Sequence, residues 1–163
     1  MRKILPLDLL KKNIISLKRQ GKKIVFTNGC FDILHYGHVK YLEDASHKGD
    51  CLVVAINSDV SVRRIKGNHR PIVKEMDRAR VLAGLKSVDY VVIFKQETPL
   101  EVIEYIKPDI LVKGADWGLK DIVGREAVLK YGGKVSVIRF LKGYSTTKLI
   151  NKIAQTFQRQ RYR

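Results

Sequence analysis

Short apolar, β-branched runs alternate along the chain with stretches whose apolar positions recur at helical spacing. Five runs read as buried parallel strands, at residues 24–27, 52–57, 90–94, 110–113 and 135–138. Helical patterns separate them, at 39–47, 75–86, from Thr98 onward, at 122–131 and from about Thr146, with one more at 7–20 ahead of the first strand. The segment from Thr98 carries the fullest start signal: Thr98 as cap, Pro99 at the first helical position and Glu101 completing a capping box. Gly132-Gly133 marks the stop of the fifth pattern. Alternation of this kind predicts an α/β sandwich built on a parallel sheet, with ligands at the carboxyl ends of the strands. The loops after Thr27, Asn57, Phe94, Lys113 and Ile138 are therefore the ones to watch. No repeat or linker divides the chain, so one domain is expected: a helix within 1–21, a body over 22–153 and a basic tail over 154–163 continuing the last helix.

Composition changes this picture in one respect. At 163 residues and 45% apolar content the chain suits a single core, and no apolar run reaches membrane-spanning length. The few apolar residues between Met1-Arg2-Lys3 and Asp8 are too short for a signal peptide, which predicts a cytoplasmic protein without membrane insertion. Cys30 and Cys51, each among apolar neighbours, read as reduced thiols. The charge stands out: 32 Lys and Arg against 16 acids give +16. Such a surplus favours polyanions, whether nucleic acid, an acidic membrane or phosphorylated small molecules, although a solvated basic surface accounts for it equally well. Only Arg159, Arg161 and Arg163 cluster, and a dispersed surplus points only weakly to a nucleic-acid groove.

Candidate chemistry concentrates after the first strand, in Thr27-Asn28-Gly29-Cys30-Phe31-Asp32-Ile33-Leu34-His35-Tyr36-Gly37-His38. Gly29 allows a tight turn, and Gly37 leaves room for a ligand against the backbone. His35 and His38, three apart, share one face of an incipient helix whose positive end points the same way. Two imidazoles and a helix N-terminus make a phosphate site. Two bland alternatives remain: chance surface histidines, or zinc held by Cys30, His35 and His38, for which the spacing is not standard and no fourth ligand is evident.

Gly29-Cys30-Phe31-Asp32 followed by His35-x-Gly37-His38 resembles the signature of the cytidylyltransferase-like nucleotidyltransferases. The likeness continues in order through Val54–Asp59, Lys66–Pro71, Val88–Phe94, Val112–Trp117 and Gly143–Thr147, covering roughly 22–153. It implies a Rossmann-like, doubly wound five-stranded parallel sheet. It further implies an enzyme that transfers AMP from ATP to a sugar 1-phosphate, because the likeness is greatest to the branch acting on D-glycero-β-D-manno-heptose 1-phosphate. ADP-heptose and pyrophosphate would be the products, with Mg²⁺ bridging ATP oxygens, no protein metal cluster, and a homodimer of the stand-alone form.

The same resemblance implies roles. His35 and His38 should contact the phosphates, joined by Lys66 on a mobile basic loop that also holds Arg63 and Arg64. Thr27, Asn28, Gly29, Cys30, Phe31 and Gly37 are expected at the nucleotide, with Lys113, Gly114 and Asp116 bordering ribose and base. Trp117 either stacks on a ring or packs under its loop. Ser145 and Thr146 serve as helix cap, phosphate ligands or both. Asp32, Arg70 and Arg78 are candidates for phosphate or acceptor, although Asp32 suits fixing the signature loop and Arg78 suits covering a helix face. The family's cytidylyl branch shows Arg-Thr-x-Gly-Ile-Ser-Thr-Thr where this chain has Phe140-Leu141-Lys142-Gly143-Tyr144-Ser145-Thr146-Thr147. The arginine and first threonine are absent, and Arg139 lies one position early, on the opposite face of an extended strand. Adenine is therefore expected over cytosine. The competing functions are cytidylyl transfer to glycerol 3-phosphate, adenylyl transfer to FMN, and a non-catalytic RNA-binding module supported by the +16 charge.

Overall fold

The computed structural model describes residues 3–115 and 122–160, with side chains up to 157. One sheet contains β1 (Ile24–Gly29), β2 (Cys51–Asn57), β3 (Tyr90–Phe94), β4 (Ile110–Gly114) and β5 (Lys134–Ile138). All strand pairs are parallel and the order is β3-β2-β1-β4-β5. The expected strands are all present, each end within two residues.

Strand β2 shows why the pattern was so readable. All of its residues are buried, so both faces are covered and the run is apolar throughout. Alternate side chains then part company. Cys51, Val53 and Ala55 join the core layer beneath α1 (Leu7–Arg19), α5 (Leu100–Ile106) and α6 (Arg125–Lys130). Leu52, Val54 and Ile56 join the layer beneath α2 (Tyr36–Ser46) and α4 (Glu75–Ala83). The N-terminal helix belongs to this body, since Leu10 and Ile14 are wholly buried. The residues before it add an edge to the sheet: Leu5 N–H donates to Val91 O, and Val91 N–H donates to Lys3 O.

The helices depart from expectation in instructive places. An unexpected helix, α3, spans Asp59–Lys66, so Arg63, Arg64 and Lys66 stand on a helix rather than in a mobile loop. Ser58 caps it by accepting from Ser61 N–H, and Asp59 occupies the first turn. Asn57-Ser58-Asp59 was the available signal, obscured by the basic residues that follow. Helix α5 begins at Leu100 without a side-chain cap. Thr98 is not the cap, and Glu101 instead accepts from Gln96 Nε2 at 2.6 Å. Helix α4 stops at Ala83 before Gly84, and α6 covers only Arg125–Lys130. The last helix, α7, covers Thr146–Gln160.

Because β1 is flanked by β2 on one side and β4 on the other, the chain reverses its winding there. Loops diverge at such a point and leave a crevice above the carboxyl ends of β1 and β4.

Candidate active site

The crevice is built outward from the end of β1. Gly29 leaves room for the Phe31 ring, since a Cβ there would lie 3.0 Å from Phe31 Cε2. The tight turn falls on Phe31 itself, whose φ of 45° is a left-handed conformation costly for an aromatic residue. That turn sets the Phe31 ring edge-on against His38, with centroids 5.2 Å apart.

His35 is the N-cap of α2, in extended conformation, and its Nδ1 accepts from His38 N–H at 3.3 Å. The two imidazoles stack with centroids 3.8 Å apart and planes inclined by 12°. Burial lowers both pKa values, that of His38 to about 4, with His35 adding repulsion. Both rings are therefore neutral at pH 7. His35 Nε2 and His38 Nδ1 are buried without a hydrogen-bond partner. Leaving such groups unmet costs about 1–3 kcal/mol each, which a ligand supplying oxygen atoms would offset. Gly37 serves a different end from the expected ligand approach: a Cβ there would meet Tyr144 Cβ at 2.7 Å. Tyr144 covers the start of α2.

Two buried charges hold this loop. Asp32, 3% exposed, accepts from Ile72 N–H and Val73 N–H, both at 2.8 Å, and from Arg70 Nε at 2.5 Å. Burial pushes its carboxyl pKa up, but the Val73 and Ile72 amides and Arg70 together hold it below the usual value. Arg78, 2% exposed, donates to Cys30 O, Val73 O and Asn57 O and pairs with Asp59 Oδ1 at 2.8 Å. Its guanidinium is fully engaged inside the protein, which corrects its candidacy as a phosphate ligand. Its role is to tie the β1 loop, the β2 end and the start of α3 into one unit.

A cavity of about 530 Å³ lies above these elements, within the range of small-molecule sites. It gathers most of the candidates: Asn28, Gly29, Cys30, Phe31, Asp32 and His38 from the first loop, and Lys66 and Arg70 from α3 and beyond. Lys113 and Gly114 at the β4 end, with Ser145 and Thr146 at the start of α7, complete the far wall. Lys113 Nζ donates to Asn28 Oδ1, bridging β1 and β4 across the crevice. Ser145 also caps, accepting from Lys148 N–H at 3.4 Å. Thr27 is different: it is buried in β1 with its hydroxyl bonded to Tyr41 Oη at 2.7 Å, which corrects its placement at the ligand. Asp116 and Trp117 lie outside the described residues, as does the tail beyond 160. Arg139 is exposed and does not line the cavity, whereas Phe140 does, packed beside Tyr41 at 5.5 Å between centroids. Cys30 Sγ lies 3.9 Å from Asn57 Oδ1, and burial raises its pKa. Among the described residues no three His, Cys, Asp or Glu side chains gather as a metal site.

Sequence reasoning missed a second set of lining residues. Glu97, Thr98 and Pro99 after β3, Ile65 on α3, and Ile122 and Val123 before α6 all border the cavity. The loop after Phe94 was flagged, but Thr98 and Pro99 read there as helix punctuation. No helix among the described residues is long and apolar enough to cross a membrane.

Comparison with known proteins bears directly on this site. A cytidylyltransferase-like family model matches residues 26–152. The chain belongs to the cytidylyltransferase-like family. This cytidylyltransferase-like chain is 53% identical over 155 residues to the bifunctional protein HldE of Citrifermentans bemidjiense, covering 95% of the chain and 32% of that relative. It is 51% identical to the HldE of Geobacter sulfurreducens over the same shares. The chain thus spans about a third of the length of the curated relatives it matches. A solved lipopolysaccharide core biosynthesis protein from Thermoplasma volcanium is 32% identical, with a TM-score of 0.62, covering 77% of this chain and 100% of that one. A pantoate-beta-alanine ligase from Francisella tularensis, solved with an ATP analogue and β-alanine, shares the fold at 16% identity and a TM-score of 0.62, covering 95% of this chain and 78% of its own.

Proposed function

We propose that this chain transfers AMP from ATP to D-glycero-β-D-manno-heptose 1-phosphate, giving ADP-heptose and pyrophosphate. The observation that carries the reading is the stacked His35 and His38 pair, with unpartnered ring nitrogens, at the N-terminus of α2. Of the pair, His38 lines a cavity whose other walls carry Lys66, Arg70 and Lys113, while His35, expected at the phosphates, stands behind it outside the described lining. The heptose acceptor rests on the motif resemblance, on the HldE relatives and on the lipopolysaccharide core biosynthesis name of the Thermoplasma protein.

In this reading an oxygen of the acceptor phosphate attacks the α-phosphorus in line, and the bond from that phosphorus to the bridging oxygen of pyrophosphate breaks. The attacking oxygen is already ionised, so no general base is needed. Rate comes from positioning and from donors aimed at developing charge. Neutral His38 donates a hydrogen bond, and approaching phosphate favours its protonation, which adds charge as the reaction advances. Lys66 meets the phosphates from the end of α3. In the described lining the cations Lys66, Arg70 and Lys113 outnumber the carboxylates Asp32 and Glu97, so Mg²⁺ would ride on the triphosphate and offset charge on the leaving group. The α7 start, with Ser145 and Thr146, suits the phosphate tail. Phe140 suits a purine face in place of the polar pair that a cytosine site uses. A cytoplasmic homodimer completes the proposal, on resemblance alone.

Pyrophosphate release from a panel of nucleotides crossed with sugar 1-phosphates, glycerol 3-phosphate and FMN tests it. ATP with heptose 1-phosphate is expected to lead, with kcat/KM for ATP at least about tenfold above CTP, or roughly 1.4 kcal/mol. Preference for CTP or for glycerol 3-phosphate would overturn the assignment. Salt-sensitive RNA binding without pyrophosphate release would favour the reading suggested by the +16 charge.

A further inference from the structure

Among the described residues two carboxylates border the cavity, Asp32 and Glu97, and their situations are opposite. Asp32 is buried and engaged by Arg70, Ile72 and Val73. Glu97 is exposed, and it makes no hydrogen bond or ion pair with any described residue. It stands in the loop between β3 and α5, at the opposite end of the sheet order from Phe140. That loop is held from both sides: Ser61 Oγ donates to Gln96 O at 2.6 Å, and Gln96 Nε2 donates to Glu101. Asn57 Nδ2 in turn donates to Ser61 Oγ at 2.9 Å, connecting the loop to the end of β2.

An unengaged carboxylate is an odd choice beside a polyphosphate, because like charges repel across a short distance. It suits a part of the ligand that is neutral and rich in O–H donors, since hydrogen bonds to a carboxylate are about twice as strong as those between neutral groups. Lys66 and Arg70 line the same cavity. Cations for a phosphate together with a carboxylate for hydroxyls match a phosphorylated polyol, anionic at one end and hydroxylated along its body. We propose that Glu97 reads the hydroxyl groups of the acceptor, and so selects a sugar 1-phosphate over a short phosphorylated acceptor. The inference rests on the sugar-phosphate reading above and assigns that substrate's subsite to the β3–α5 loop.

The test uses the full chain as wild type, Glu97→Gln and Glu97→Ala, assayed with ATP and heptose 1-phosphate, a deoxy-sugar 1-phosphate or glycerol 3-phosphate. Glu97→Ala is expected to raise KM for heptose 1-phosphate about tenfold, with Glu97→Gln between, while KM for ATP and the Mg²⁺ titration midpoint move less than about twofold. The loss should shrink with the deoxy sugar. An unchanged KM for the heptose, or a loss that falls on ATP or on the Mg²⁺ midpoint, overturns the assignment and puts the carboxylate at the nucleotide or metal. The wild-type rates separate the two readings. Wild type inert toward every sugar 1-phosphate overturns the proposed function and this subsite together. An active wild type with a flat mutant-to-wild-type ratio overturns Glu97 alone.

Discussion

The two sides of the cavity are built on opposite terms. On the β1–β2–α3 side, Asp32 and Arg78 are buried charges, and nearly every polar atom they carry is answered by a backbone group or an opposite charge. On the β5–α7 side, Phe140, Leu141 and Tyr144 are 45%, 40% and 47% exposed, and the segment is held by ring contacts and the Ser145 cap. Phosphate chemistry needs donors fixed before the charge develops, whereas base recognition tolerates a surface that adapts to a flat ring. In the function proposed above, the densely bonded side would carry the histidine loop and the more exposed side, through Phe140, the base.

The largest expected effect breaks the rigid side. Arg78→Met leaves Asp59 uncompensated and three carbonyls without a donor, which should cost about 3–5 kcal/mol in urea denaturation. Phe140→Ala, on the open side, should cost under about 1 kcal/mol in the same assay. Equal losses would erase the contrast.

His38→Ala comes next. Turnover should fall on the order of 10²–10³-fold with the fold retained, because a preorganised donor is lost while the core is untouched. Circular dichroism with steady-state kinetics checks both halves, and near-normal turnover in a folded variant would remove the imidazole from the chemistry. Lys66→Ala sharpens the picture further. Lys66 is the last residue of α3 and precedes Gly67, whose φ of 91° gives the chain a turning point. Single-turnover rates should fall several-fold more than ATP affinity, as for a group that acts mainly on the transition state. Equal loss in both would make it a ground-state contact.

The last effect is a pH dependence of stability, absent at neutral pH and seen only on acidification. The folded pKa of His38, about 4, lies below its unfolded value of 6.5. The fold thus favours the neutral ring, and this contribution is complete above pH 6.5 and is lost as pH falls toward 4. Thermal denaturation without nucleotide should show wild type losing more stability across that window than His38→Asn. Parallel curves would mean that the ring is less buried than the stacked pair indicates.

How legible the molecule was depended on how local each signal is. Burial on both faces leaves a continuous apolar run, so β2 was plain, and Gly29 to His38 stood out as the segment where candidate chemistry concentrates. Helix α3 was not legible, because Arg63, Arg64 and Lys66 resemble a basic loop unless Ser58 is read as a cap. Thr98 misled for a related reason: Thr-Pro opens helices and lines cavities with the same residues.

By itself the sequence determined the strand-and-helix alternation, the family and the loop that carries the histidines, since each depends on neighbours within a few positions. Only the tertiary structure decided that Arg78 is a strut, that Thr27 faces Tyr41, and that Asp32 is engaged while Glu97 has no partner among the described residues. Those distinctions depend on partners 14 to 48 residues away for Thr27, Asp32 and Arg78. Whether a charge becomes scaffold or ligand is set by which groups the fold brings within hydrogen-bond reach, and one-dimensional spacing holds no record of that.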